Sequence, residues 1–183
     1  MITFILGGAK SGKTKFALNY AERLKGFKNY YYLATAEAFD DEMREKIKKH
    51  QKERPPFWQL IEEPVNISFH LKNLAKSFSI ILLDCLTMWV SNLIYYEKDL
   101  FKEFKCFLEI LHLYQGNDID WLIIVSNEVG LGLVPENKLA REFREIIGSF
   151  NQEIAKISDE VYFIIAGLSI SLKTKNFSEA YQI

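Results

Sequence analysis

Eight residues, Gly7-Gly8-Ala9-Lys10-Ser11-Gly12-Lys13-Thr14, satisfy the pattern G-x-x-x-x-G-K-[ST]. They follow a short apolar run and open a stretch of helical periodicity, the context in which that pattern makes a phosphate-binding P-loop. Glycines let successive backbone N–H groups turn inward around an anion, and the start of a helix adds positive partial charge. Lys13 has the reach for β- and γ-phosphates, and the Thr14 hydroxyl suits Mg²⁺. The chemistry implied is the gripping of a nucleoside triphosphate.

A second candidate is Asp84, which ends the run Ile80-Ile81-Leu82-Leu83. A carboxylate at the end of a buried strand beside a P-loop holds Mg²⁺ directly or through water. Strands also end in aspartates that only cap the next turn, but next to the P-loop the metal-binding role is the better reading.

The third is His50. Residues Asp40 to Glu53 begin with acids, carry several lysines and stop before Pro55, which predicts one helix. Met43, Ile47, His50 and Arg54 fall at i, i+4, i+7 and i+11, on one face. On one account this is a solvated helix whose His and Arg edge the core. On the other, a neutral imidazole attacks the α-phosphorus of a nucleotide, expels pyrophosphate and holds the nucleotide as a phosphoramidate, while Lys and Arg stabilise the phosphoryl oxygens. The residue pattern leaves both accounts open.

Positioning these groups requires strands and helices in alternation. Ile2–Leu6, Tyr30–Ala34, Ile80–Asp84, Leu122–Val125 and Val161–Ala166 are strand-length and continuously apolar, as in a parallel sheet covered on both faces. Helices are predicted at Lys13–Leu24, Asp40–Glu53, after Thr87, at Phe101–Tyr114 and at Pro135–Lys156. The alternation predicts an α/β fold of the P-loop NTPase type, a mostly parallel central sheet with helices on both faces. Gly116–Asp120 reads as a loop and the tail after Lys173 as frayed.

With 183 residues, 49% hydrophobic and 26% charged, the chain suits a single globular domain spanning residues 1–183. A net charge of −1 gives no general attraction to nucleic acid or anionic membrane. Cys85 and Cys106, the only two cysteines, suit a reducing cytoplasmic location and are too few for a disulfide framework or zinc knuckle. The apolar stretch from Phe78 to Tyr96 is long, but Asp84 inside it argues against a membrane span. A buried strand, a turn and a helix are expected there instead.

Further blocks join the P-loop: Tyr32-Leu33-Ala34-Thr35-Ala36; Asp40-Asp41-Glu42-Met43; His50 with Arg54-Pro55; Trp58 with Glu62; Asp84-Cys85-Leu86-Thr87-Met88-Trp89-Val90-Ser91-Asn92-Leu93; and Ser126-Asn127-Glu128-Val129-Gly130-Leu131-Gly132-Leu133-Val134-Pro135-Glu136-Asn137. In this order and spacing, from Phe4 to about Lys173, the chain resembles the bifunctional adenosylcobinamide kinase/adenosylcobinamide-phosphate guanylyltransferase family of cobalamin biosynthesis. Lys10 stands where that family's loop carries arginine and Thr14 where it carries serine. Ala166-Gly167-Leu168-Ser169-Ile170 follows the family pattern only loosely.

The resemblance implies two Mg²⁺-dependent reactions with ATP or GTP. The γ-phosphate passes to the aminopropanol hydroxyl of adenosylcobinamide; then a guanylylated histidine passes GMP from GTP to adenosylcobinamide phosphate, giving adenosylcobinamide-GDP. It assigns the histidine to His50, and nucleotide contacts to Ala34, Thr35, Ala36, Gln51, Lys52, Glu53, Arg54, Glu62 and Asp84, with Thr14 and Asp84 on the metal. Asn127 and Glu128 end a predicted strand at the edge where α/β sheets bind ligands, or else cap a turn, and Arg141 and Arg144 resemble the family's basic pair, which would face substrate phosphate or a neighbouring subunit. His70 and His112 match nothing in the family. A homo-oligomer resembling the family's trimer is implied. Two other readings fit the motifs: a P-loop kinase of another small alcohol, with His50 idle, and a non-catalytic GTP-binding regulatory protein.

Overall fold

The computed structural model describes residues 1–38, 41, 44–45, 55–116 and 118–174. In chain order the elements are β1 (Ile2–Gly7), α1 (Lys13–Arg23), β2 (Asn29–Ala34), β3 (Gln59–Glu62), α2 (Ile67–Leu74), β4 (Ser79–Asp84), α3 (Leu86–Tyr95), α4 (Leu100–Leu111), β5 (Trp121–Asn127), α5 (Lys138–Ile157), β6 (Glu160–Ile165) and β7 (Leu168–Lys173). Most of the helix expected over Asp40–Glu53, His50 included, lies outside the described residues, as does the tail from residue 175.

The strands form one seven-stranded sheet in the order β3-β2-β4-β5-β1-β6-β7. Every pairing is parallel except the β6–β7 hairpin. The five continuous apolar runs account for β1, β2, β4, β5 and β6, because such runs can be buried on both faces.

Alternation along the strands divides the core in two. Ile80 and Leu82 of β4 pack with Ala17, Leu18 and Ala21 of α1 on one face. Ile81 and Leu83 pack on the other, against side chains from α2, α3, α4 and α5. This is the α/β arrangement with both faces covered. A fully buried leucine or isoleucine contributes about 1.5–3 kcal/mol, so the central strands anchor the fold and hold the loops at their ends.

The stretch from Phe78 to Tyr96 becomes β4 and α3, with Cys85 alone between them and no separate turn. No helix among the described residues is long and apolar enough to cross a membrane. Three elements were not expected: β3, α2 and β7. The first is four residues long with polar ends, and its edge position leaves it mostly exposed. Boundaries also move. The helix expected over Phe101–Tyr114 runs Leu100–Leu111, where Asp99 caps it by accepting from the Lys102 amide at 3.1 Å. The helix expected from Pro135 starts at Lys138, with Asn137 as its cap.

Candidate nucleotide site

β1 lies between β5 and β6, and α1 and α5 leave the adjacent ends of β1 and β5 on opposite faces of the sheet. That divergence opens a crevice at the carboxyl edge, where α/β sheets bind ligands. The P-loop occupies it. A Cβ at Gly7 would run into the Ile164 carbonyl oxygen and sit 2.7 Å from Ser11 Oγ, so only glycine fits there. Gly12, in left-handed backbone at φ 98°, turns the chain into α1. No side chain caps that helix start and no acid occupies its first turn, so its field is left for an anion. The loop is tied down by Ser11 N–H to Gly8 O at 3.3 Å and Gly167 N–H to Ser11 O at 2.9 Å.

Lys13 is buried, and its ammonium donates to Gly8 O at 2.6 Å. Burial pulls its pKa below the ordinary lysine value, opposed by the nearby Asp84 carboxylate. Thr14 Oγ1 donates to Asp84 Oδ2 at 2.7 Å, and the Tyr32 hydroxyl donates to the same oxygen at 2.6 Å. Lys10, Lys13, Thr14, Asp84, Cys85 and Asn127 help to line a cavity of about 330 Å³ at this point. The Cys85 thiol is pushed up to about 12, first by burial and then by the neighbouring Asp84.

These residues fit a magnesium nucleotide. The buried Ser11 Oγ has no partner among the described residues, the glycine cradle admits no side chain at Gly7, and the Thr14 and Asp84 donors are hard oxygens of the type Mg²⁺ takes alongside phosphate.

The register brings further predicted residues to the same edge. Glu62 pairs with Ala34, Ala34 with Asp84, and Asp84 with Val125. At roughly 4.8 Å per strand, Glu62 lies two strands, about 10 Å, from Asp84. Thr35 is fully buried. Its hydroxyl donates to Cys85 O at 2.7 Å and accepts from Cys85 N–H at 2.8 Å, which commits it to bracing the strand end. Ala36 is half-buried just beyond. Gln51, Lys52, Glu53, Arg54 and His50 lie outside the described residues.

Asn127 lines the cavity. Glu128 caps the turn after β5, its carboxylate accepting from Gly130 N–H at 2.6 Å and Leu131 N–H at 3.0 Å. Arg141 donates to Pro135 O at 3.0 Å and Arg144 to Gly130 O, so the basic pair holds this loop. His70 lies 3.4 Å from Glu63, and His112 pairs with Gln115 at 2.6 Å.

Tyr32 and Asn92 escaped the sequence reading as site residues. Asn92 Nδ2 donates to Thr35 O at 2.7 Å and Pro64 O at 3.0 Å, clamping the ends of β2 and β3 together. The available signal was their polarity within apolar elements, since a buried hydroxyl or amide must find partners.

Known proteins show the same pattern. The profile of the family described as cobinamide kinase / cobinamide phosphate guanyltransferase matches residues 3–172. The bifunctional adenosylcobalamin biosynthesis protein CobP of Pseudomonas aeruginosa is 38% identical, over 94% of this chain and 98% of that protein. The bifunctional adenosylcobalamin biosynthesis protein CobU of Escherichia coli is 30% identical, over 94% of this chain and 100% of that protein. Among solved structures, the flagellar accessory protein FlaH from Methanocaldococcus jannaschii aligns with a TM-score of 0.51 at 14% identity, covering 94% of this chain and 78% of that one. An ATPase from the type III secretion system of pathogenic bacteria aligns with a TM-score of 0.56 at 12% identity, covering 93% of this chain and 56% of that one. At such identities these two likenesses speak for the fold alone. The sequence matches go further: the chain belongs to the cobinamide kinase / cobinamide phosphate guanyltransferase family, enzymes of cobalamin biosynthesis.

Proposed function

We propose that the chain phosphorylates adenosylcobinamide and then transfers GMP from GTP, through a guanylylated His50, to adenosylcobinamide phosphate. The observation that carries this reading is the bond of 2.7 Å between Thr14 and Asp84 beside the buried Lys13, in a chain that matches the family over residues 3–172.

In the kinase step the P-loop amides and Lys13 orient the triphosphate. The corrinoid hydroxyl oxygen attacks the γ-phosphorus, the bond to the β–γ bridging oxygen breaks, and the hydroxyl proton is lost to solvent. Thr14 and Asp84 are the residues that would hold Mg²⁺, which neutralises phosphate charge when bound. In the second reaction an imidazole nitrogen of His50 bonds to the α-phosphorus of GTP as pyrophosphate departs. A phosphate oxygen of the corrinoid then displaces the imidazole, breaking the P–N bond and yielding the GDP-linked product. The connection that contains His50 leaves from Ala34, whose register partner is Asp84, and this supports a shared site. Asp84, Ala34 and Glu62 lie in one row across that edge, which supports their assignment as nucleotide contacts. Exposed Leu168, Ile170 and Leu172 on β7 support reading the chain as a homo-oligomer. Two free cysteines suit a cytoplasmic location.

The test is intact-protein mass after incubation with GTP and Mg²⁺. The expected result is a gain of one GMP in the wild type and none in His50→Ala. A wild-type chain that binds GTP without gaining mass removes the guanylyl half and leaves a P-loop kinase.

A further inference from the structure

We propose that Tyr32 is a positioning residue for the metal-bound nucleotide, acting through Asp84; this rests on the reading that Thr14 and Asp84 hold Mg²⁺. Oδ2 of Asp84 receives two hydrogen bonds, from Thr14 on α1 and from Tyr32 on β2. The first comes from the P-loop itself. The second comes from a strand outside the P-loop.

The sheet register explains how Tyr32 arrives there. It pairs with Leu82, and Asp84 lies two residues further along β4 on the same face. Such a diagonal neighbour is within reach of an aromatic side chain. Packing fixes the aim. Tyr32 is 4% exposed, and its ring meets the Trp58 indole edge-on at 6.2 Å. A carboxylate on a single χ1–χ2 stem at a strand end has several rotamers. A donor held by packing selects the one in which Asp84 also meets Thr14. The metal site is then assembled before nucleotide arrives, and the ordering cost falls on folding instead of on binding.

A tyrosine that merely stabilised the sheet would act on the whole chain alike. A positioning tyrosine acts on the metal dependence of binding. The experiment is equilibrium titration of N-methylanthraniloyl-GTP fluorescence, in EDTA and across a Mg²⁺ series, for wild type, Tyr32→Phe and Asp84→Asn. Tyr32→Phe keeps the ring and its packing. It should bind the probe in EDTA within twofold of wild type, while its half-saturating Mg²⁺ concentration rises roughly tenfold, the scale of one hydrogen bond to a charged group. Asp84→Asn should lose most of the Mg²⁺ dependence. If Asp84→Asn loses it and Tyr32→Phe keeps the wild-type midpoint, the role of Tyr32 is overturned and the metal site stands. Equal weakening of Tyr32→Phe in EDTA and in Mg²⁺ overturns it too, leaving a structural tyrosine. A wild type whose affinity ignores Mg²⁺ overturns the metal-site reading itself.

Discussion

Thr35 and Cys85 exchange hydrogen bonds in both directions: the threonine hydroxyl donates to the cysteine carbonyl at 2.7 Å and accepts from its amide at 2.8 Å. One side chain thereby satisfies both backbone groups of the residue that follows Asp84, across the boundary between β2 and β4. Thr35→Val keeps the shape and leaves the buried Cys85 N–H unpaired, while the Cys85 carbonyl still accepts from the Trp89 amide at 3.1 Å. At about 1–3 kcal/mol for an unsatisfied buried group, thermal unfolding followed by circular dichroism should show a loss of that size. For a chain of this size that is a melting temperature lower by roughly 2–12 °C. An unchanged melting temperature contradicts the bracing role.

Gly7 tolerates no side chain, because a Cβ there meets the Ile164 carbonyl and Ser11 Oγ. Gly7→Ala must push β6 or the loop aside, at a cost of about 1–3 kcal/mol. Nucleotide binding should fall more steeply than stability, since the displaced loop is the binding element. Gly8, where no atom of the described residues lies within 4 Å of an added carbon, is the control. Gly8→Ala should melt within about 0.5 kcal/mol of wild type, as expected away from packed features.

Burial lowers the Lys13 pKa from the ordinary 10.5. The sign follows from proton linkage. Between the lowered folded value and 10.5 the unfolded chain binds more protons, so stability rises with pH across that window. Below it the buried charge is a standing cost. Lys13→Met should therefore be more stable than wild type without nucleotide at neutral pH, the gap narrowing as pH approaches 10.5. The same variant should bind GTP about 10–100-fold more weakly, the scale of a charge-assisted hydrogen bond to phosphate. Melting curves at several pH values beside a nucleotide titration separate the two effects.

The two cysteines should differ sharply in reactivity. Cys106 is exposed, whereas Cys85 is buried with its thiol pushed up to about 12. The nucleophile is the thiolate, so iodoacetamide at pH 8 should add one carbamidomethyl group to the native chain and two to the unfolded one. Cys106→Ser should take up none while folded. Rapid labelling of Cys85 in the native protein would mean that the crevice is open to solvent.

The sequence is most legible where the information is local. The P-loop is contiguous, so Gly7–Thr14 declares its chemistry and its place between strand and helix. Continuous apolar runs gave five strands correctly because central parallel strands are buried on both faces. β7 was missed for the opposite reason. Leu168, Ile170 and Leu172 alternate with polar residues and are all exposed, and the preceding Gly167 turn masks the run. Thr35 illustrates a further limit. The resemblance marked it as a nucleotide contact, but its hydroxyl is spent on a backbone fifty residues away, and no local pattern encodes that partner. Tyr32 is similar: its polarity was visible, its partner was set by register. Arg141 and Arg144 showed as a basic pair, while their role in holding the loop after β5 emerges only once α5 is folded back.

The position of β1 in the sheet also sets a timetable for synthesis. Its parallel partners are β5 and β6, and Ile2 N–H reaches Asp159 at 2.7 Å. On a ribosome, the strand that delivers Gly7 emerges before both of its neighbours and waits until residues 121–165 have followed. The Gly167 amide that ties down Ser11 comes later still. Because such distant partners must meet before the sheet closes, the nucleotide crevice is among the last features to be completed. Nascent chains halted after β5 should accordingly emerge without a finished phosphate cradle, although every residue of its motif precedes that point in the chain.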